Sequence, residues 1–403
     1  MNGPILHLSA DFPDRIDPAK TRAIQTLVEL VRDRFDQQIV SLNRVAPGPM
    51  GAIATLLGGN PIARAQIDGP LTTLAYRAPG RGLWHHGMLR RLADALLDRI
   101  AAGPRPGLIM GHKLTVEGLV AAHIAAALGV PYGLTIQGDT DTKILAARPD
   151  LRPAFARVFH GASVVFSLAP WSLRAVEARL GARAGQSILL PCPLAADRFI
   201  APRMGGDAIV TAFHLRNARR KNLVRLIAAH QTLRTNRPDV ELHILGGGSG
   251  HDRARVERMV GAHAGIMLRG AVANAAIPET FNAAIGLALP SLRESFGMVF
   301  IEALMAGLPV AYPQGRAIDG YFDGAPFAIA VDPLDTAMIA DGMARMMRDE
   351  AALKTALARW QTSGEAARFT RAAIADTFAQ GLSLAPTHAS GSAFTYATNG
   401  PAL

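Results

Sequence analysis

The sequence predicts an α/β protein made of two Rossmann-like, doubly wound domains. Short apolar segments alternate with longer amphipathic ones, which is the pattern of a parallel sheet covered by helices. A Pro- and Gly-rich stretch without periodicity, residues 194–206, separates two such series. With 403 residues the chain is long enough for two domains with full cores. Since ligands of such folds bind at the carboxyl ends of the strands, we expect the two domains to face each other across a ligand cleft.

The first series predicts an N-terminal domain of residues 1–195. Its strands are short apolar runs that end at Gly, Pro or polar turns, at residues 5–9, 38–42, 108–111, 133–137, 163–168 and 187–190. Between them, apolar residues recur at helical spacing and predict helices at residues 20–34, 89–101, 116–128 and 172–180.

The second series predicts a C-terminal domain of residues 206–362. Strands are predicted at residues 209–213, 241–245, 266–269, 286–290 and 309–312. Helices are predicted at residues 223–235, 251–262, 278–283, 296–306, 335–348 and 351–362. A closing helix at 366–380, within the segment 363–382, is expected to pack back on the N-terminal domain. Residues 383–403 are small and polar and are expected to form a disordered tail.

The composition is that of a globular protein, with 49% hydrophobic and 18% charged residues. No apolar run approaches the roughly 18 residues that span a bilayer, and the start lacks a secretory signal, so we expect a cytoplasmic protein. The single Cys192 excludes an intrachain disulfide and a zinc–thiolate cluster, and no metal site is predicted.

The formal net charge of +10 favours an anionic partner such as a phosphorylated substrate or anionic lipid. A basic composition without functional meaning is the alternative. Nucleic acid is disfavoured, because zinc-finger spacings and RNA-binding aromatic signatures are missing. The basic segment at residues 81–100 fits either an ordinary amphipathic surface helix or a helix that rests on anionic lipid at the inner face of a membrane.

The run ESFGMVFIEALMAGLPV, residues 294–310, is the most informative part of the chain. Glu294 lies in the loop after a predicted strand, and Glu302 lies about two turns into the following helix. The amides of residues 296–298 lie at the start of that helix, where N–H groups and the helix dipole attract phosphate. A carboxylate among apolar neighbours is unfavourable unless a partner binds it, and ligand hydroxyls are one candidate. Two solvated glutamates without a ligand are the simpler alternative.

This run resembles the signature of retaining, nucleotide-sugar-dependent glycosyltransferases with the GT-B fold, in the large family (family 4, group 1) that makes bacterial polysaccharides and glycolipids. That family shows two Glu separated by seven residues, Phe-Gly after the first Glu, and an Ala-x-x-x-Gly-x-Pro-Val tail. The same pattern is present here without a gap. The resemblance implies that Glu294 contacts hydroxyls of the donor sugar and that Glu302 binds the ribose hydroxyls. The residues implied to hold the diphosphate are Ser295, Phe296, Gly297 and Met298.

Four cations follow the first strand of the second series, in FHLRNARRKN at residues 213–222. Cations at a strand end before a helix can bind phosphate, and a solvated basic loop is the alternative. In the family, an Arg and a Lys separated by four residues bind the donor phosphates, and Arg216 and Lys221 match that spacing. The family's usual Gly before the Arg is Leu215 here, which leaves the backbone geometry of this loop open.

Two further loops of the second series match the family more loosely. LGGGSG, residues 245–250, is either a tight glycine turn or, by the resemblance, the stretch around Gly247 that packs backbone close to the nucleotide. MLRGAV, residues 267–272, is similar to the family's next strand end, whose backbone near Arg269 reads the edge of the base.

In the first series, GHKLTVEG begins at a strand end, residues 111–118. A lone histidine is more often a buried, hydrogen-bonded residue. His112 nevertheless resembles the histidine that this family places beside the donor sugar, where it hydrogen-bonds the sugar and stabilises charge at the anomeric centre. Lys113 is predicted to reach an acidic group of the acceptor.

Two loops of the first series depart from the family. The loop at residues 11–23 lacks the paired glycines that are often present there, so that Lys20 and the amides near Thr21 either substitute for them or serve the acceptor. Gln137 stands where many relatives have His. Asp139 and the nearby Asp141 either position an acceptor hydroxyl or cap the following helix, and capping is favoured.

The resemblance covers most of the chain and is strongest in the second series. It implies a retaining, metal-independent hexosyltransferase that moves a sugar from a UDP- or GDP-linked donor to a saccharide or lipid-linked saccharide, in the synthesis of cell-surface exopolysaccharide or lipopolysaccharide. No cofactor is expected beyond the nucleotide sugar. Two alternatives stay open. One is a GT-B enzyme like the nucleotide-sugar 2-epimerases, and the other is a catalytically inactive relative that binds the nucleotide sugar.

Overall fold

The computed structural model describes residues 3–48, 51, 59–78, 84–195 and 197–385. The chain divides into two compact units. The first unit comprises Met1–Ser167, Val176–Leu190 and Ala375–Leu403, and the second comprises Leu168–Ala175 and Pro191–Ile374.

The first unit is built on an eight-stranded sheet with the order β3-β4-β2-β1-β5-β6-β7-β8. All neighbouring strands are parallel except the β3–β4 pair, which is antiparallel. The strands are β1 Ile5–Ser9, β2 Gln37–Val45, β3 Ile62–Asp68, β4 Leu71–Arg77, β5 Leu108–Gly111, β6 Tyr132–Ile136, β7 Val164–Ser167 and β8 Ser187–Leu189. The helices are α1 Ala23–Leu30, α2 His85–Ile100, α3 Glu117–Leu128, α4 Asp139–Ala147, α5 Arg152–Gly161 and α6 Pro170–Leu180, whose first residues belong to the second unit.

Sequence patterns predicted the central strands of this sheet but not the β3–β4 hairpin. Strand β3 lies at the edge of the sheet, and most of its residues are at least partly exposed, so it has no apolar run to signal it. The helix predicted at residues 20–34 is shorter than expected, because α1 covers only Ala23–Leu30. In the basic segment 81–100 the helix begins at His85, and residues 81–83 lie outside the described residues.

The second unit is built on a six-stranded parallel sheet with the order β11-β10-β9-β12-β13-β14. The strands are β9 Ile209–Ala212, β10 Leu242–Leu245, β11 Ile266–Gly270, β12 Gly286–Ala288, β13 Val310–Pro313 and β14 Ala328–Val331. The helices are α7 Leu223–Asn236, α8 Gly250–Val260, α9 Ile277–Asn282, α10 Met298–Met305, α11 Thr336–Arg348, α12 Glu350–Gln361, α13 Gly364–Ala367 and α14 Arg371–Leu384. Apolar side chains of β9, β13, α7 and α11 form one buried core.

Two predictions for this half of the chain were incomplete. Strand β14 was not predicted, and the helix expected at residues 366–380 is divided into α13 and α14. Because α14 continues to Leu384, the first residues of the expected tail are helical, and residues 386–403 lie outside the described residues.

The end of α14 packs within the first unit. The Phe378 ring lies 5.1 Å from that of Phe166 in an edge-on contact, and Asp376 pairs with Arg34 at 2.7 Å. None of the described helices is both long and apolar enough to span a bilayer.

Candidate active site

The loop after β12 holds a carboxylate and exposes the start of a helix. Glu294 is buried, and its carboxylate accepts a hydrogen bond from the Lys221 ammonium. Gly297 precedes α10 with a φ of +75°, a left-handed conformation that favours glycine. A Cβ at Gly297 would lie 2.7 and 2.8 Å from ring carbons of Phe300 and 3.1 Å from Cγ of Glu294. Both the backbone angle and the space therefore require glycine here.

The first amides of this loop and helix are available for a ligand. No side chain caps the start of α10. The backbone N–H groups of Phe296, Gly297 and Met298 have no hydrogen-bond acceptor within the described residues. Unsatisfied N–H groups at a helix start form a general anion-binding feature.

Glu302 lies on α10 between apolar residues, as the sequence predicted. Burial raises the pKa of its carboxyl group, and no charged group offsets this effect. Across the described part of the chain, no group forms a hydrogen bond or an ion pair with the Glu302 carboxylate. The carboxylate is thus largely desolvated and has no protein partner, which is unfavourable unless a ligand supplies the missing donors.

The loop after β9 carries the predicted phosphate-binding cations. Leu215 begins a 3-10 turn, and its amide donates to the Gly247 carbonyl at 2.8 Å. The Arg255 guanidinium donates to the Arg216 carbonyl at 3.0 Å. These contacts fix the backbone at the position where the family usually has glycine, and the Leu215 side chain is buried. Arg216 itself is exposed.

The loops after β9 and β12 contact each other, because these strands are neighbours in the sheet. Besides the Lys221–Glu294 pair, the Leu292 amide donates to the Arg220 carbonyl at 3.0 Å. Asn222, at a φ of +62°, donates from its amide group to the carbonyls of Pro290 at 3.0 Å and Pro333 at 2.6 Å. Sequence reasoning did not single out Asn222. Its position directly before a helix was the available signal.

The glycine loop after β10 packs against the end of β9. A Cβ at Gly246 would lie 1.8 Å from the Phe213 carbonyl oxygen, and the Gly246 amide donates to the Gly270 carbonyl at 2.7 Å. Arg269 is exposed beside Gly270, at the end of β11. Since parallel strands end at the same edge of a sheet, Gly247 and Arg269 share this edge with the cation loop and the Glu294 loop.

His112 has both ring nitrogens engaged within the chain, and its expected contact with a donor sugar stays a prediction. Its side chain is fully buried, and its ring nitrogens lie 3.0 Å from His7 Nδ1 and 3.1 Å from the Thr135 hydroxyl. Its amide donates to the Leu8 carbonyl, and its own carbonyl accepts from the Gln137 side chain at 2.8 Å. Burial holds the pKa of His112 well below its ordinary value, so the ring is neutral.

Lys113 reaches carboxylates of the chain itself instead of the predicted acceptor group. Its ammonium lies 2.6 Å from the Asp11 carboxylate and 3.8 Å from that of Glu117. Burial alone would lower the pKa of Lys113, but the charges of Glu117 and Asp11 raise it. Burial raises the pKa of the fully buried Glu117 to about 7.

Lys20 is also engaged within the chain. Its ammonium donates to the carboxylate of Asp14 and to the hydroxyl of Ser41, each at 2.9 Å. Burial would raise the pKa of Asp14, but hydrogen bonds, those from Ser41 and Asn43 foremost, hold it below its ordinary range. A role of Lys20 toward a ligand stays a prediction. Thr21 is exposed at the start of α1.

The capping role expected for Asp139 and Asp141 is wrong. Helix α4 begins after Gly138, and no side chain caps it. The Asp139 carboxylate lies 3.6 Å from the Lys143 ammonium on the same helix. Asp141 is fully buried and accepts from the amide and the hydroxyl of Thr115, at 3.0 and 2.8 Å.

No group of three His, Cys, Asp or Glu side chains in the described ranges is arranged to hold a metal ion. The predicted donor residues all lie in the second unit, on helix α10 or at the strand ends and loops that share one edge of its sheet: Arg216, Lys221, Gly247, Arg269, Glu294, Ser295, Phe296, Gly297, Met298 and Glu302.

Residues 201–365 match the protein family described as Glycosyl transferases group 1. No curated protein matches the chain significantly. Among solved structures, the chain is similar to sucrose-phosphate synthase from Thermosynechococcus elongatus, with a TM-score of 0.65 and 19% identity over 94% of this chain and 98% of that one.

Two other solved structures show a similar likeness. The UDP-forming α,α-trehalose-phosphate synthase from Burkholderia xenovorans, in complex with glucose-6-phosphate, has a TM-score of 0.64 and 14% identity over 94% of this chain and 100% of that one. HepE from Anabaena, in complex with UDP and glucose, has a TM-score of 0.60 and 16% identity over 94% and 99%. At such identities these likenesses show the fold alone, and that fold is GT-B.

Proposed function

We propose that this chain, in which residues 201–365 match the family Glycosyl transferases group 1, transfers a sugar from a nucleoside diphosphate to a hydroxyl of a saccharide or lipid-linked saccharide. Transfer retains the anomeric configuration and uses no metal ion. The product belongs to a cell-surface polysaccharide or glycolipid. The enzyme works in the cytoplasm, and its net charge of +10 supports a peripheral contact with the anionic inner face of the membrane.

The observation that carries this proposal is the Glu302 carboxylate. It is mostly buried, its pKa is raised by that burial, and no donor within the described residues satisfies it. Two adjacent hydroxyls of a ribose would supply two donors to one carboxylate and offset the desolvation of its charge. The helix that carries Glu302 starts with amides that lack acceptors, so that a nucleotide ribose and its diphosphate can be held by one helix.

The leaving group is a nucleoside diphosphate, whose negative charge grows as the glycosidic bond breaks. Lys221, Arg216 and the amides of residues 296–298 stabilise this charge, which lowers the barrier without a metal. Glu294 binds hydroxyls of the donor sugar and thereby positions the anomeric carbon. The acceptor oxygen bonds to the anomeric carbon from the face that the diphosphate leaves, and its proton passes to the departing phosphate oxygen, a mode that retains configuration without a protein nucleophile.

Ligand-induced stabilisation tests the proposal directly. A ligand at 100 times its dissociation constant stabilises a protein by about 2.7 kcal/mol. We expect UDP- or GDP-sugars to raise the melting temperature of the wild type, with UDP-sugars tested first because HepE was solved with UDP and glucose. Glu302→Gln should lose most of this rise.

The matched control is Glu257→Gln, which changes an exposed glutamate on α8 that pairs with Arg253 at 2.8 Å. It should respond to the ligand as the wild type does. If no nucleotide sugar stabilises the wild type, or if both variants respond alike, the proposal is wrong.

A second candidate is a relative that binds the nucleotide sugar without transferring it. The hydrogen bonds that engage both ring nitrogens of His112 favour it, because the ring then offers nothing to a sugar. Incubation of a stabilising donor with and without a panel of saccharide acceptors separates the cases. Glycoside formation supports the transferase, donor conversion without acceptor supports an epimerase-like enzyme, and an unchanged donor supports the binding protein.

A further inference from the structure

The Trp171 indole connects two loops at the carboxyl edge of the second sheet. It is 8% exposed, and its N–H donates to the carbonyl of Ser295 at 3.0 Å and to that of Ala317 at 2.9 Å. Ser295 lies in the loop after β12, and Ala317 lies in the loop after β13. A single buried donor thus holds the backbone of both loops.

The contact with Ser295 fixes the direction of a neighbouring amide. In a trans peptide the C=O and the N–H point in opposite directions within one plane. Because the Ser295 carbonyl points at Trp171, the Phe296 N–H of the same peptide points away from it. That N–H is one of the three amides that lack an acceptor within the described residues.

The segment that carries Trp171 is itself held firmly on the second unit. The Tyr321 hydroxyl donates to the Leu168 carbonyl at 2.9 Å, and Arg174 pairs with Asp319 at 3.0 Å. The Tyr321 ring also packs edge-on against Phe296, with ring centroids 6.1 Å apart. The position of the indole is therefore fixed by contacts other than its hydrogen bond to Ser295.

The second carbonyl that Trp171 holds belongs to a strained residue. Ala317 has a φ of +56°, in the left-handed region that residues with a Cβ rarely adopt. Such a conformation persists only where the surrounding contacts enforce it. The bond from the indole is one of these contacts, so its loss would relax the loop after β13 as well.

We infer that Trp171 is a positioning residue for the phosphate-binding loop. It aims the Phe296 amide at the diphosphate of the bound nucleotide, and so raises the affinity for phosphate without touching the ligand. This inference rests on the proposed function, because it assigns a diphosphate to these amides.

The matched pair of variants is Trp171→Phe and Trp360→Phe. Trp360 is also buried, it contacts Phe322 and Phe369 in the same unit, and its indole N–H has no partner within the described residues. Both substitutions remove one N–H and part of one ring. Only the first removes hydrogen bonds to the loop.

Dissociation constants for UDP and for uridine, measured by calorimetry on both variants, test the inference; GDP and guanosine take their place if the wild type prefers guanosine. Without the bond to Ser295, the Phe296 amide loses its orientation and with it about one hydrogen bond to the diphosphate. Trp171→Phe should therefore bind the diphosphate about fivefold more weakly than Trp360→Phe. The affinity for the nucleoside should be equal in the two variants. An equal diphosphate affinity in the two variants, or an equal loss for diphosphate and nucleoside, would overturn the inference.

A measurement on the wild type covers the case in which Trp171→Phe does not fold. The chain has three tryptophans, so a ¹⁵N–¹H spectrum contains three indole signals. UDP should shift the Trp171 signal and leave that of Trp360 in place, whereas an unmoved Trp171 signal at saturating UDP would overturn the inference. A wild type that binds neither nucleotide would instead overturn the proposed function, and this inference with it.

Discussion

His112 Nε2 donates to His7 Nδ1 across 3.0 Å inside the first unit, and a chain of contacts fixes the direction of this bond. The Gln37 side chain donates from its amide nitrogen to the Val28 carbonyl at 3.0 Å, so that its oxygen accepts from His7 Nε2 at 3.0 Å. His7 Nδ1 must then be an acceptor, and the Thr135 hydroxyl must donate to His112 Nδ1. Both rings are held neutral, each in a single tautomer.

This pair predicts a loss of stability in mild acid. Burial lowers the pKa of His7 to about 4, so between pH 6.5 and 4 the unfolded chain takes up a proton at this residue that the native protein does not. The contribution of the neutral His7 ring to the free energy of unfolding is fully present above pH 6.5 and is lost as the pH falls towards 4. His7→Gln keeps the hydrogen-bonding groups but removes this protonation. The free energy of unfolding should then fall less steeply with falling pH, by about 1.4 kcal/mol per pH unit.

Urea unfolding of both proteins at pH 7, 6 and 5, followed by circular dichroism, measures this difference in slope. Parallel pH profiles for His7→Gln and the wild type would show that His7 does not contribute.

The unpartnered Glu302 predicts that the free protein is stabilised when its charge is removed. Because burial raises its pKa, the native protein binds more protons than the unfolded chain just above the ordinary value for glutamate, and stability falls as the pH rises. Glu302→Met should therefore raise the free energy of unfolding by about 1 kcal/mol or more at pH 8 and by less at pH 5. Glu257→Met, at an exposed site, is the control and should gain nothing. Denaturant unfolding without ligand measures both, and a Glu302→Met protein less stable than the wild type at pH 8 would contradict the prediction.

Alanine substitutions at Gly297 and Gly315 distinguish the effect of backbone strain from that of a steric overlap. Both have a positive φ, +75° and +71°, but a Cβ at Gly315 meets no atom within 4 Å, whereas one at Gly297 overlaps Phe300. Gly315→Ala should cost about 1–2 kcal/mol for the left-handed backbone alone. Gly297→Ala should cost about 1–3 kcal/mol more because of the overlap, and it should also lose nucleotide binding.

Thermal melts of the two alanine variants, with and without UDP, test this comparison. Equal melting temperatures, or a UDP response that survives in Gly297→Ala, would mean that the loop can adapt to a side chain.

The loop–helix unit that carries Glu294 and Glu302 could be predicted from the sequence because its parts are close along the chain. Glu294, Gly297 and Glu302 lie on one loop and the helix that follows it, so their spacing along the chain fixes their geometry. Strands β9, β10 and β12 were predicted from apolar runs, since each is short and almost entirely buried. The edge strand β3 was not predicted because most of its residues are at least partly exposed.

The contacts of the predicted site residues in the first unit could not be predicted in this way, because they are made with side chains that tertiary packing brings close. His112 is fully engaged by His7, which lies 105 residues earlier in the chain. Likewise, Lys20 is engaged by Asp14 and Lys113 by Asp11. A sequence shows which cations are present, but their pairing depends on tertiary packing. This is why the partners of these three side chains within the chain could not be predicted.

The Lys221–Glu294 pair predicts opposite effects of one substitution on binding and on transfer. Both side chains are largely buried, with 14% and 11% exposed, so the ammonium is held by Glu294 when no ligand is bound. Glu294→Gln removes the competing charge and should tighten UDP binding by about two- to tenfold. It should also slow sugar transfer at least about tenfold, because a neutral amide binds the sugar hydroxyls less strongly.

Lys221→Met should lose UDP affinity, and adding Glu294→Gln to it should restore none. Calorimetry and a coupled transfer assay on the three variants check this. Weaker UDP binding in Glu294→Gln would mean that the carboxylate holds Lys221 in place for phosphate and does not compete for it.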